Sequence, residues 1–266
     1  MYKAYKYRIY PTSEQETLLA KSFGCARWFW NYALNLCQET YKNTGKGLSK
    51  GYIQGLLPAL KKEYKWLKDP YSQCLQVVAL NLSTAYKNFF DKRAMLPKFK
   101  SKHGRQAISY PQNVKFDGDK INLPKIGLVH CQRHRDFEGD IKTVTVSRNP
   151  DGKHFVSVLV DDGKANPELV PVDKAIGVDV GLTHFAITSD GSKFDNPKFF
   201  VKRQRNLKKK QQKLSRKKKG SQNRKKARLA VAKVHSKIAR CREDFLHKLS
   251  RKIVNENQVI AVENLN

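Results

Sequence analysis

The chain has 266 residues, 53 of them Lys or Arg against 23 Asp or Glu, for a formal net charge of +30. A charge of that size repels itself and is tolerated best beside a polyanion, so nucleic acid is the expected partner. With 13 Phe, 11 Tyr and 3 Trp the chain is too aromatic for a disordered basic tail, and it has neither a bilayer-length apolar run, a secretory leader nor a lipidation box to suggest a membrane.

Five cysteines (Cys25, Cys37, Cys74, Cys131, Cys241) are scattered and never spaced C-x-x-C. That pattern argues against a disulfide framework and against a zinc knuckle within this chain, and it points to a reducing, cytoplasmic setting. Tyr5 to Tyr10 alternate aromatic and basic residues, as a half-buried strand does, and Pro11 ends it. Thr12 and Ser13, with Gln15 and Glu16 three positions on, offer two overlapping capping boxes. Leu19, Phe23, Ala26, Trp30, Ala33 and Cys37 then step by four and three, which predicts a long amphipathic helix. A second helical stretch is expected over about Tyr52 to Leu60. A third follows Pro70, with Leu75, Val78, Leu82, Tyr86 and Phe89 on one face.

The texture changes after Leu96-Pro97. Residues 106 to 160 read as short strands, with turns at Asp117-Gly118 and at Asn149 to Gly152; residues 143–146 and 155–160 form a hairpin. A polar linker over Asp161 to Asp173 precedes a buried-looking strand, Ala175 to Asp179, and a second, Phe185 to Thr188. Residues 201 to 254 read as two helical segments broken near Lys219-Gly220-Ser221, carrying 22 Lys/Arg and 2 acids. The second segment keeps a core face at Val231, Val234, Ile238, Phe245, Leu249 and Ile253. A last strand, Val259 to Val262, leads into Glu263.

Strand, hairpin, helices, strand, with an acid closing the first and last strands, is the order expected of an RNase H-like nuclease domain. Its first strand lies beside and parallel to its fourth, so Asp179 and Glu263 would converge and repel unless a divalent cation neutralised them. Two Mg²⁺ ions about 4 Å apart could then activate water and stabilise a leaving oxygen. Gly181 would let the backbone turn close to a phosphate. Other readings stay open: Asp179 followed by Gly181 is also a common turn, or the phosphate loop of an actin-like ATPase, and Glu263 could simply be solvated.

The segments Tyr5 to Thr12, Phe23 to Arg27, Trp30-Asn31 and Leu96 to Lys100 resemble the TnpB (OrfB-type) transposon proteins. So do Ile176 to Leu182, Leu214 to Ser221, Asp244 to Ser250 and Val262 to Asn266. The resemblance is ordered and spans the chain. It implies an α+β multidomain protein with three parts. A β-rich wedge domain with an OB-like barrel would cover 1–10 and 96–170. A helix-turn-helix-like recognition module would cover 11–95, and an incomplete RNase H-like (RuvC) domain 171–266. It further implies an RNA-guided DNA endonuclease that binds a guide RNA from the transposon end and cuts matched double-stranded DNA with Mg²⁺, inside a prokaryotic, nucleoid-associated setting. Asp179 and Glu263 would be the first two catalytic metal ligands. Family members continue into a four-cysteine zinc ribbon and a third catalytic Asp. A chain carrying only two of three acids is expected to cleave DNA poorly, and a non-catalytic RNA/DNA binder or a decayed fragment is the alternative.

Phosphate contacts are expected from Lys208, Lys209, Lys210, Arg216, Lys217, Lys218, Lys219, Arg224, Lys225 and Lys226, and from Lys98 and Lys100; otherwise such runs are a solvated helix face. Trp28 or Phe29 could stack on bases, whereas Trp30 is expected in the core, since three adjacent aromatics cannot share one helix face. His103, His130, His134, His154 and His184 have no metal-ligand spacing and read as structural or surface groups.

Overall fold

In the computed structural model, which describes residues 1–165 and 174–263, the chain divides into two compact units, Met1–Asn166 and Pro167–Asn266. The fold is mixed α+β: an N-terminal strand and helices, a large antiparallel sheet, and a second, smaller sheet with two helices.

The alternating start of the chain is β1 (Tyr2–Tyr10), with Tyr7 and Ile9 buried. Thr12 caps the following helix, α1 (Ser13–Thr44), in a reciprocal box: its Oγ1 accepts from Gln15 N–H at 3.3 Å while its own N–H donates to Gln15 Oε1 at 3.1 Å. The helix stops at Gly45, whose φ of 66° is left-handed and whose N–H donates to the Tyr41 carbonyl at 2.8 Å. All six residues of the stepping pattern, Leu19 through Cys37, are buried. The second helix, α2 (Lys50–Glu63), is longer than expected because Ser49 caps it, accepting from Tyr52 N–H at 3.1 Å. A 3₁₀ turn (Lys65–Lys68) follows, anchored by a fully buried Leu67, and then α3 (Ser72–Phe90), which buries Leu75, Val78 and Leu82.

Six further strands complete the first unit: β2 (Gln106–Tyr110), β3 (Lys115–Asp117), β4 (Lys120–Leu123), β5 (Gly127–Gln132), β6 (Asp140–Arg148) and β7 (His154–Asp161). The sheet is antiparallel throughout, in the order β2-β6-β7-β1-β5-β4-β3, with β2 and β3 as its edges. The N-terminal strand therefore sits near its centre, pairing Tyr2 to Ile9 with Asp161 back to His154. The predicted β6–β7 hairpin is present, from Asp140↔Asp161 to Arg148↔His154. Ahead of β6, Gly139 has a φ of 108°, and a Cβ there would lie 2.2 Å from the Asp161 carbonyl oxygen, so only glycine fits. Helices and sheet share one hydrophobic core, in which Phe29, Leu34, Leu75 and Leu82 belong with Tyr7, Val129, Val146 and Val158.

The second unit holds β8 (Ala175–Asp179), β9 (His184–Thr188), β10 (Lys193–Asp195), α4 (Phe199–Ser215), α5 (Gln222–Glu256) and β11 (Val259–Val262). Its sheet runs β10-β9-β8-β11; β8 and β9 are antiparallel, as are β9 and β10, whereas β11 lies parallel to β8. A parallel pair needs a long crossover, and the two helices supply it. Leu207 on α4 packs with Val231, Val234 and Ile238 on α5, and Phe245 meets Phe185 edge-on at 5.1 Å, tying α5 to the sheet. Of the predicted α5 face, Val234, Ile238 and Leu249 are buried and Val231, Phe245 and Ile253 half-buried. Most of the expected linker, residues 166–173, and the motif residues 264–266 lie outside the described residues. No helix among the described residues is long and apolar enough to cross a membrane.

Candidate active site and nucleic-acid interface

Strand register brings the two predicted acids together. Val259, Ile260, Ala261 and Val262 stand beside Ala175, Ile176, Gly177 and Val178, and the residues that follow this register, Asp179 and Glu263, line one depression. The acids are 84 positions apart in sequence but meet at the same end of neighbouring strands, which run about 4.8 Å apart. Alternation along each strand puts Gly177 and Ala261 behind them on the same face. Both are small, and the Ser189 side chain stands over Gly177, where a Cβ would meet the Ser189 Cβ at 3.5 Å; the acids rim a depression of about 520 Å³ that Ile187, Thr188 and Ser189 also line. Both carboxylates are exposed.

Thr188 and Ser189, which line the same depression, are not among the residues that the sequence singles out. Ser189 N–H donates to the Gly177 carbonyl at 2.9 Å, and its Oγ accepts from Gly177 N–H at 3.0 Å, which locks the turn after β9 to the strand carrying Asp179. The Thr188 hydroxyl donates to Asp190 Oδ1 at 2.6 Å, and that bond holds the Asp190 carboxyl below its ordinary range. The only hint in the sequence is Thr188-Ser189-Asp190-Gly191, which reads simply as a turn. Gly181 closes a tight loop instead of facing open space: its N–H donates to the Phe185 carbonyl at 3.3 Å, and a Cβ would come within 3.2 Å of the His184 carbonyl.

Adjacent like charges in a sheet destabilise it, and a hard cation with oxygen ligands would relieve Asp179 and Glu263. Their donor set of two exposed carboxylates fits Mg²⁺. They form a pair: among the described residues no cluster of three or more His, Cys, Asp or Glu side chains is placed to hold a metal ion.

The crossover between β10 and β11 is the basic segment. Residues 201–242 contain 19 Lys/Arg and no Asp or Glu. Lys208 and Lys209 on α4, Arg216 to Lys219 in the turn, and Lys225 and Lys226 on α5 are exposed, and Lys210 is half-buried. Arg224 differs from them. Its guanidinium donates to the Leu214 carbonyl at 3.1 Å and the Lys217 carbonyl at 2.7 Å, so it is bound to the hairpin turn itself. In the first unit Lys98 is exposed, and its carbonyl accepts from Trp30 Nε1 at 3.1 Å. Lys100 exchanges two hydrogen bonds with Asn31, at 2.7 and 3.1 Å, and its ammonium lies 3.7 Å from the centre of the Trp30 ring. Desolvation there pushes its pKa down. Two segments that carried the family resemblance, Trp30-Asn31 and Leu96 to Lys100, thus dock on one another. Phe29 is fully buried and so cannot stack on a base, while Trp28 is half-buried among other rings.

Residues 153–266 match a family described as “Probable transposase” of the IS605 OrfB type, and residues 1–46 match the helix-turn-helix domain of the same family. A “Putative RNA-guided DNA endonuclease” of Streptomyces pristinaespiralis is 37% identical over 99% of this chain and 67% of its own length. This chain belongs to the IS605 OrfB family. “Putative RNA-guided DNA endonuclease InsQ” of Escherichia coli K12 is 35% identical over 99% of this chain and 66% of its own length. The OrfB chain therefore spans about two thirds of the length of the curated relatives it matches. A CRISPR-Cas12f ternary complex aligns over 95% of this chain and 63% of that one, at 14% identity and a TM-score of 0.40. Residues 1–46, the helix-turn-helix match, form one strand and one continuous helix in this OrfB chain.

Proposed function

We propose that this chain acts as an RNA-guided DNA endonuclease component, in which Asp179 and Glu263 hold Mg²⁺ at the phosphodiester to be cut. The observation that carries the reading is the parallel register that sets the two acids side by side, within the unit that also contains the basic hairpin. The second unit is then an RNase H-like (RuvC) domain, residues 96–170 with β1 form an OB-like wedge, and residues 11–95 form a recognition module. The guide RNA comes from the transposon end, and the target is double-stranded DNA. Bound Mg²⁺ supplies Lewis-acid activation of water and stabilises the leaving oxygen.

The chain's own residues do the rest. Lys208, Lys209, Lys210, Arg216, Lys217, Lys218, Lys219, Lys225 and Lys226 neutralise phosphates without reading bases, which leaves sequence recognition to pairing with the guide. The Ser189–Gly177 bonds keep the strand that carries Asp179 rigid beneath the phosphodiester.

Thermal melting and RNA titration of the purified chain and of Asp179→Asn test this. Mg²⁺ should raise the melting temperature of the parent and leave the variant unchanged. Both should bind transposon-end RNA equally, with affinity that falls steeply as salt rises. Loss of RNA binding in Asp179→Asn, or an equal Mg²⁺ response in both proteins, would refute the ligand role.

A further inference from the structure

Four aromatic rings gather on the helical part of the first unit. Trp28 and Tyr32, one turn apart on α1, stack at 5.1 Å with an 18° interplanar angle. Tyr64, at the end of α2, lies 4.9 Å from Trp28, and Trp66 in the 3₁₀ turn stands edge-on to Trp28 at 5.1 Å. Trp28, Tyr32 and Tyr64 pack against the hydrophobic core, so they are a rigid backing. Trp66 is the outer ring and is 40% exposed. It is not needed to anchor the turn, because Leu67 beside it is fully buried.

The surroundings are cationic. Lys65 and Lys68 flank Trp66 at positions that eclipse one another in a 3₁₀ helix. Lys62 lies on the last turn of α2, and all three lysines are exposed. None of the three forms an ion pair among the described residues. Of the two nearby acids, Asp69 Oδ2 is 3.9 Å from Lys21 Nζ, and Glu63 sits beside the Tyr64 hydroxyl, whose pKa it raises.

We infer that this cluster is a stacking platform for an unpaired nucleotide of RNA, with Trp66 under the base and Lys65 and Lys68 on the adjoining phosphates. A flat, partly exposed ring with a rigid backing and cations at its edge matches the two faces of a single strand. A duplex offers no free base face, and an acidic peptide would use the lysines and leave the ring idle. The inference rests on the reading that the chain binds RNA, and it adds a place on the helical part where an unpaired stretch is held.

Stacking and phosphate contacts separate by their salt dependence. Affinity of the full chain for a 12-nucleotide oligouridylate and for a 12-base-pair RNA duplex would be measured across a NaCl series. Trp66→Ala should weaken oligouridylate binding about tenfold at every salt concentration, with the slope unchanged and duplex binding unaffected. Trp66→Phe should recover most of the loss. Lys65→Ala should instead flatten the slope by about 0.7, the release expected from one single-strand phosphate contact. Parent-like oligouridylate binding by a folded Trp66→Ala protein would overturn the platform, as would an equal loss for duplex and single strand. Absence of RNA binding by the parent chain would instead overturn the functional reading beneath it.

Discussion

His154 shows how a single buried group ties stability to pH. It opens β7, is 3% exposed, and its Nδ1 sits 3.6 Å from Glu16 Oε1. Burial lowers its pKa below the ordinary 6.5; Glu16 works the other way, and Arg148 adds to the lowering. In the unfolded chain the imidazole takes up a proton near 6.5, whereas in the folded chain it does so only at lower pH. Between those two values the unfolded state binds more protons, so stability falls as pH drops through 6.5 and is unaffected by this group above it. Urea unfolding of the first unit should therefore lose free energy from pH 7.5 to pH 5.5, and His154→Gln should flatten that loss. A slope unchanged in His154→Gln would assign the pH dependence to other groups. The sequence alone marks His154 as structural or surface, which is as far as residue type can go: that reading needs no partner, but the pH effect depends on burial and on Glu16, 138 positions away.

At the scale of elements, the basic hairpin depends on Arg224. Ser221 caps α5, accepting from Arg224 N–H at 3.1 Å, and the Ser221 hydroxyl donates to the Lys218 carbonyl at 2.9 Å. The half-buried Arg224 side chain then closes the turn on the Leu214 and Lys217 carbonyls. A charged donor on two carbonyls contributes on the order of 1.5–3 kcal/mol. Arg224→Ala should accelerate tryptic cleavage at Lys217 to Lys219 and lower the melting temperature of the second unit, while Lys225→Ala should do neither. Equal protease sensitivity in the two variants would show that the turn does not need Arg224. The two helices themselves were legible in the sequence, because capping and three-four spacing are local signals. The 3₁₀ turn at Lys65–Lys68 was not, since a single turn leaves no periodicity to read. The edges and order of the large sheet were equally hidden: alternation marks β1 as a strand but cannot name β7, some 150 residues on, as its neighbour.

For the whole molecule, charge and core are unevenly shared between the two units. Residues 167–266 carry 25 Lys/Arg against 9 Asp/Glu, and the first 166 carry 28 against 14. The smaller unit holds the denser charge, and among the described residues it buries only Ile176, Ala186, Leu207, Val234, Ile238 and Leu249 as apolar side chains. Charge was readable from composition, and the parallel pairing of the strands that lead to Asp179 and Glu263 from the order of strands; the thinness of the core beneath them was not, because burial depends on what packs opposite. Self-repulsion over so small a core should make the second unit the weaker one at low ionic strength. Salt screens exposed charges within about 10 Å at 0.1 M, and a polyanion that binds only the folded hairpin stabilises it by mass action. Calorimetry should therefore resolve a lower transition that moves up with NaCl and, at micromolar concentration, with a short RNA. Hydrogen exchange should slow over 199–256 under the same conditions and change less over 13–90. Equal gains in both segments would mean that the anion stabilises the chain as a whole, and the hairpin would lose its standing as the main polyanion site.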